Sequence, residues 1–100
     1  MTKNQLIESI KLTYLRGIRL VEQKNHDYAR EDDAFSNFRS SVIAGVYPEQ
    51  AILVRVLDKI SRISNLLDKK ASVQDESIED TLIDCINYMA ILKAMLEEKK

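Results

Sequence analysis

An all-α fold is what this sequence predicts, on three observations. Apolar residues recur at steps of three and four over three long stretches, the period of a helix that buries one face. Two glycines and one proline in 100 residues leave little room for the tight turns of an all-β chain. An apolar share of 45% beside 31% charged residues is that of an ordinary globular protein. The expected architecture is a helical bundle of three long helices and one short helix, in a single domain over residues 1–100. A core of this size stabilises a monomer only marginally, so a homo-oligomer is expected.

The first helix is expected from about Asn4 to Lys24, where Leu6, Ile7, Ile10, Tyr14, Gly17, Ile18 and Val21 recur helically. Gly17 inside it costs roughly 1 kcal/mol relative to Ala, which close packing on a second helix would explain. Asn25 to Asp32 reads as a loop. Asp33 is a plausible N-cap for a short helix carrying Phe35, Phe38, Val42 and Ile43, with Gly45 as its left-handed terminator. Pro48 suits a first helical turn, and Glu49 the positive end of the helix dipole. The helix that follows should reach about Lys69. Its apolar stripe is Ile52, Leu53, Val56, Leu57, Ile60, Ile63 and Leu67; its polar stripe is Arg55, Asp58, Lys59, Arg62, Asn65 and Lys69. Ser72 or Asp75 could cap the last helix, which should run to about Glu97.

Charge and composition exclude several classes. With 15 basic and 16 acidic residues the net charge is −1, which gives no basic surface for duplex nucleic acid. No apolar run approaches the ~20 residues that span a bilayer, so no membrane partner is expected. A single cysteine makes no internal disulfide, and the N-terminus lacks a signal-peptide core; the expected location is the cytoplasm.

The residues that need a partner lie on the last helix. Glu76, Asp80, Asp84 and Asn87 follow at steps of four, four and three, and the stripe runs into the apolar stretch LIDCINYMAIL. An unpaired carboxylate there would be costly. The polar stripe of the preceding helix offers Lys59 and Arg62. Two readings follow. Asp84 pairs with Arg62 or Lys59 while Asn87 satisfies a backbone group, or the carboxylates Asp80 and Asp84, with Glu76, hold Mg²⁺ while Lys59 and Arg62 meet phosphate. Tyr28, Phe35 and Phe38 either stack on a base or anchor their segments to the core. His26 is the only histidine and has no cysteine near it, so a zinc site is poorly supported. Cys85 reads as an inert core thiol. There is no nucleophile elbow and no glycine-rich phosphate loop.

Three blocks, KNHDYAREDDAFSNF, RVLDKISRISNLL and ESIEDTLIDCINYMAIL, together resemble the nucleotide modification associated domain 1 family, small helical proteins many of which come from phages. The resemblance covers Lys24 to Leu92. The matching positions are Asp27, Tyr28, Asp58, Lys59, Arg62, Asn65, Asp80, Asp84, Asn87 and Tyr88. The last helix is more distantly similar to the MazG-like all-α NTP pyrophosphatases, which use carboxylates on neighbouring helices to bind Mg²⁺. Here the sequence departs from that pattern. Thr81 stands where a Glu should be, Asp80 is one position early, and neither Glu22 nor Asp58 has a carboxylate three residues away.

The resemblance implies a nucleotide ligand held by Asp27, Tyr28, Lys59, Arg62, Asn65, Asp84, Asn87 and Tyr88, in the cytoplasm, that of a bacterial host if the chain is phage-encoded. Three activities stay open. One is Mg²⁺-dependent pyrophosphohydrolysis of a nucleoside triphosphate. Another is a catalytically silent sponge for a cyclic nucleotide or cyclic ADP-ribose-type immune signal. The last is a helical interaction module whose charged seam only sets register.

Overall fold

A computed structural model describes residues 1–28, 33–68 and 76–99, with the side chains of 25–28 and 76–77 outside the description. Among the described residues there are four helices and no strand. In chain order they are α1 (Lys3–Tyr28), a 3₁₀ helix (Ser36–Ala44), α2 (Pro48–Leu67) and α3 (Glu76–Glu98). The all-α expectation of three long helices and one short one holds.

Helix α1 starts on a capping box. The Thr2 hydroxyl accepts the Gln5 N–H at 3.1 Å, and the Gln5 side chain accepts the Thr2 N–H at 2.8 Å. The helix then runs past Lys24 through Tyr28, so 25–28 is helical and not the loop the polar sequence suggested. Nothing in Asn25–Tyr28 stops a helix: there is no glycine or proline, and each polar residue there costs at most about 0.7 kcal/mol.

Asp33 does not act as the N-cap, a position taken by Phe35. Its Oδ1 instead accepts the Phe35 N–H at 3.1 Å, a local turn two residues long. Both its oxygens also take the fork of Arg39, at 2.7 and 2.9 Å, which raises the Arg39 pKa. Gly45 ends the 3₁₀ helix at φ +75°, the left-handed conformation expected of it. Pro48 opens α2, where the Gln50 side chain accepts the Tyr47 N–H at 3.2 Å. The expected caps Ser72 and Asp75, and the expected α2 terminus Lys69, lie outside the described residues.

Helices α2 and α3 are antiparallel. Lys59 meets Asp84, Arg55 lies over Tyr88, and Glu49 pairs with Lys99 at 3.0 Å, so positions rise on one helix as they fall on the other. Between them and the 3₁₀ helix lies the core: Phe38, Ile52, Val56 and Met95, with Phe35, Cys85, Tyr88, Ile91 and Leu92 packed against it. Cys85 is half-buried there, in the core position its neighbours suggested. No described helix is long and apolar enough to cross a membrane.

Helix α1 is held differently. It crosses α3 at Gly17, which is buried, and Arg16 reaches Glu79 and Asp80, each at 2.6 Å. A Cβ on Gly17 would stand 2.9 Å from Oδ1 of Asn87, so the glycine is there for close approach, as its place in the helix suggested.

Candidate functional site

Asp84 stands where the three long helices meet. Its Oδ1 accepts from Lys24 of α1 at 3.3 Å, and its Oδ2 lies 3.3 Å from Lys59 of α2. One turn along α3, the Asn87 amide donates to the Gly17 carbonyl at 3.1 Å. Of the two readings weighed for these residues, the geometry contains the first: Lys59 pairs with Asp84 and Asn87 satisfies a backbone group. Lys24 joins the pair, a partner the sequence did not offer.

The stripe does not face Lys59 and Arg62 as a whole. Asp80, a turn before Asp84, points to α1 and takes Arg16 instead. The seam is therefore shared between α1 and α2. Arg62 and Asn65 are exposed further along α2, as is Asp58. The side chains of Asp27, Tyr28, His26 and Glu76 lie outside the described residues, so their expected roles have no geometry to set beside them.

Beside Asp84 a cleft of about 200 Å³ opens, and all four helices contribute to it. Val21 and Lys24 come from α1, Asn37 and Phe38 from the 3₁₀ helix, Arg55 from α2, and Asp84, Asn87, Tyr88 and Ile91 from α3. Three predicted residues thus converge here: Asp84, Asn87 and Tyr88. Phe38 is an anchor: it is buried in the core, and its ring carries the Arg55 guanidinium 4.9 Å from the centroid. The Tyr88 ring lies 5.9 Å from the same guanidinium. Two rings hold Arg55 in place without neutralising it. Among the described residues no carboxylate pairs with Arg55.

Lys24 and Arg55 line the cleft with Asp84, and Lys59 reaches Asp84 from α2, so three cations stand at or beside a cleft that has one carboxylate among its lining residues. The cleft favours an anion although the whole chain is slightly acidic. Asn37 lines the cleft, and its Oδ1, buried behind that wall, has no hydrogen-bond donor among the described residues. An acceptor left this way costs about 1–3 kcal/mol unless a ligand or water supplies the proton.

The Mg²⁺ that the MazG-like similarity implies finds a poor donor set here. Both oxygens of Asp84 face ammonium groups and Asp80 faces a guanidinium. Among the described residues no three metal-ligating side chains gather. Thr81, where that pattern has a Glu, is buried, a place where a carboxylate would lose its hydration. These carboxylates suit cations of the protein itself.

Sequence reasoning missed Lys24, Asn37 and Arg55 as cleft residues. Arg55 was within reach, because Arg55, Lys59 and Arg62 follow at four and three and share a face of α2. The periodicity of α1 ends near Lys24, which marks it as a terminus and not as a cleft residue. Nothing in the sequence around Asn37 marks it.

No curated protein and no solved structure matches the chain. The family described as nucleotide modification associated domain 1 matches residues 24–96, a span that takes in every residue of the cleft except Val21. With that match covering most of its length, the chain belongs to the nucleotide modification associated domain 1 family.

Proposed function

We propose that the protein binds a nucleotide, with the nucleoside entering the cleft between Asn37, Arg55 and Asn87 and the phosphates lying along α2. One observation carries this reading: a guanidinium that no described carboxylate pairs is fixed over two rings in a cleft whose wall includes Asn37, whose buried Oδ1 meets no described donor. An N–H of a base or a sugar hydroxyl would satisfy Asn37 once its amide turns toward the cleft. The cleft is smaller than the ~300–1,000 Å³ of most ligand pockets, so it takes one part of the ligand. Arg55, Lys59 and Arg62 share a face of α2, and phosphate oxygens outside the cleft would follow them. Asp27, Tyr28 and Asn65 keep the ligand-binding roles that the family resemblance implies for them, with Tyr28 as a lid.

Binding without turnover is favoured over hydrolysis, because Asp80 and Asp84 already serve Arg16, Lys24 and Lys59. A silent binder of a linear or cyclic nucleotide, the sponge reading, fits that arrangement. Mg²⁺ would have to displace an ammonium from Asp84. A homo-oligomer belongs to the same reading. Among the described residues six apolar side chains are buried, and twenty large ones are exposed.

A thermal-shift screen tests the function. Nucleoside triphosphates, cyclic dinucleotides and cyclic ADP-ribose isomers are added with and without Mg²⁺, and the ligand is recovered afterwards. A raised Tm with intact ligand, lost in Arg55→Gln, supports binding. Pyrophosphate release would replace the silent binder with an enzyme. No shift with any nucleotide would overturn nucleotide binding and leave the interaction module.

A further inference from the structure

The side of the α2–α3 hairpin away from the cleft carries two rows of uncovered apolar residues. On α2 they are Leu53, Leu57, Ile60 and Leu67, which with Ser64 follow the alternating four-and-three spacing of a coiled-coil seam. On α3 Leu82, Ile86, Met89 and Leu96 repeat it, with Lys93 in the remaining place. All eight apolar residues are between 38% and 63% exposed. A seam of this kind normally faces another helix, and here both rows face solvent.

The two rows form one surface. The register set by Lys59–Asp84 and Arg55–Tyr88 brings Leu57 level with Ile86, Leu53 with Met89 and Ile60 with Leu82. At 100° per residue, Arg55 lies almost opposite Leu53, Leu57 and Ile60 around α2, so the surface and the cleft are on opposite sides of the hairpin.

We propose that this surface is the interface with a second copy of the chain, closing a four-helix bundle from two α2–α3 hairpins. Two observations select a second copy. The exposed parts of the eight side chains amount to roughly 700 Å², close to the ~800 Å² per partner of a stable interface and above the patch a typical monomer exposes. The charges are also self-complementary. Glu79 and Lys93, which within one chain pair with Arg16 and Glu97, lie seven residues either side of Ile86 at seam positions, so a two-fold axis at Ile86 with α3 antiparallel to its copy brings Lys93 of one chain level with Glu79 of the other, where the two would join these pairs. The proposal deepens the homo-oligomer part of the proposed function and does not depend on the ligand.

The test is the mass in solution of the full chain, by light scattering over a concentration series, with circular dichroism to follow helix content. The wild type is expected to be at least a dimer. Leu57→Glu and Ile86→Glu should each raise the dissociation constant by 100-fold or more at unchanged helix content, because both side chains are exposed in the single chain. Lys93→Glu should weaken association about tenfold, and the double change Glu79→Lys, Lys93→Glu should restore most of it. A monomeric wild type would overturn both this interface and the homo-oligomer reading. A wild-type oligomer that ignores Leu57→Glu and Ile86→Glu but dissociates with Ile7→Glu on the exposed face of α1 would overturn this interface alone.

Discussion

The Asn87 side chain and the Gly17 backbone fit only each other: the amide donates to the Gly17 carbonyl at 3.1 Å, and a Cβ at 17 would stand 2.9 Å from Oδ1. Gly17→Ala therefore sets two effects of similar size against each other. Ala gains about 1 kcal/mol in helix propensity. Pushing Asn87 aside loses a hydrogen bond of about 0.5–1.5 kcal/mol. The net change in stability should be under about 1 kcal/mol, while nucleotide binding falls because Asn87 leaves its place in the cleft. In an Asn87→Ala background the same Gly17→Ala change should stabilise by about 1 kcal/mol. Denaturant melts of the four chains give the coupling, and additivity would refute it.

The Asp84 clip predicts a ranking. Its carboxylate is 21% exposed, Lys59 is 30% and Lys24 is 60%. Asp84→Asn should cost about 1–2 kcal/mol, less than the ~3–5 kcal/mol of a fully buried broken pair. Lys59→Met should cost more than Lys24→Met, which should stay below about 1 kcal/mol, as exposed pairs do. Equal losses for the two lysines would show that the clip is not shared as described.

The Glu49–Lys99 pair predicts a pH dependence. The hydrogen bond from Lys99, and next the backbone amide at the start of α2, hold the Glu49 carboxyl below its ordinary value. A carboxyl depressed in the folded state adds stability that is fully present above its unfolded value, about 4.3, and that is lost as pH falls through the folded value. Lys99→Met should lower Tm at pH 7, and the gap to wild type should close as the solution is acidified below pH ~4. A gap that stays constant down to pH ~3 would remove the pair from the account.

Ile52 has no exposed surface, the most enclosed side chain described. Ile52→Ala should cost about 3–4 kcal/mol, from lost burial and the cavity together. Ile52→Val should cost about 1 kcal/mol. Chemical denaturation of both variants checks the ratio, and near-equal losses would mean that the core collapses around the site.

The helices were legible because periodicity and punctuation act locally. Pro48, Gly45 and the seven-residue apolar stripe of α2 mark their own element, whatever surrounds it. The end of α1 was not legible, since Asn25, His26 and Asp27 are weak helix formers that a helix nevertheless tolerates. The site divided the same way. Asp84 and Asn87 announced themselves by standing polar in an apolar stretch, and Lys59 by its stripe. Which helix each would face depends on how α1 crosses α3, a tertiary choice that no local pattern carries. Asp80 thereby went to Arg16, and Lys24 and Asn37 entered the cleft unannounced.

The fastening of α1 has a consequence for ionic strength. Much of its grip on α3 is Arg16 with Glu79 and Asp80, Lys24 with Asp84, and one amide hydrogen bond, while much of its apolar face is exposed. Salt screens the exposed pairs, with a Debye length near 3 Å at 1 M, and leaves the apolar contacts between α2 and α3 untouched. Concentrated salt should thus loosen one wall of the cleft, Val21 and Lys24, from a hairpin that stays folded. Amide hydrogen exchange would then quicken in α1 alone.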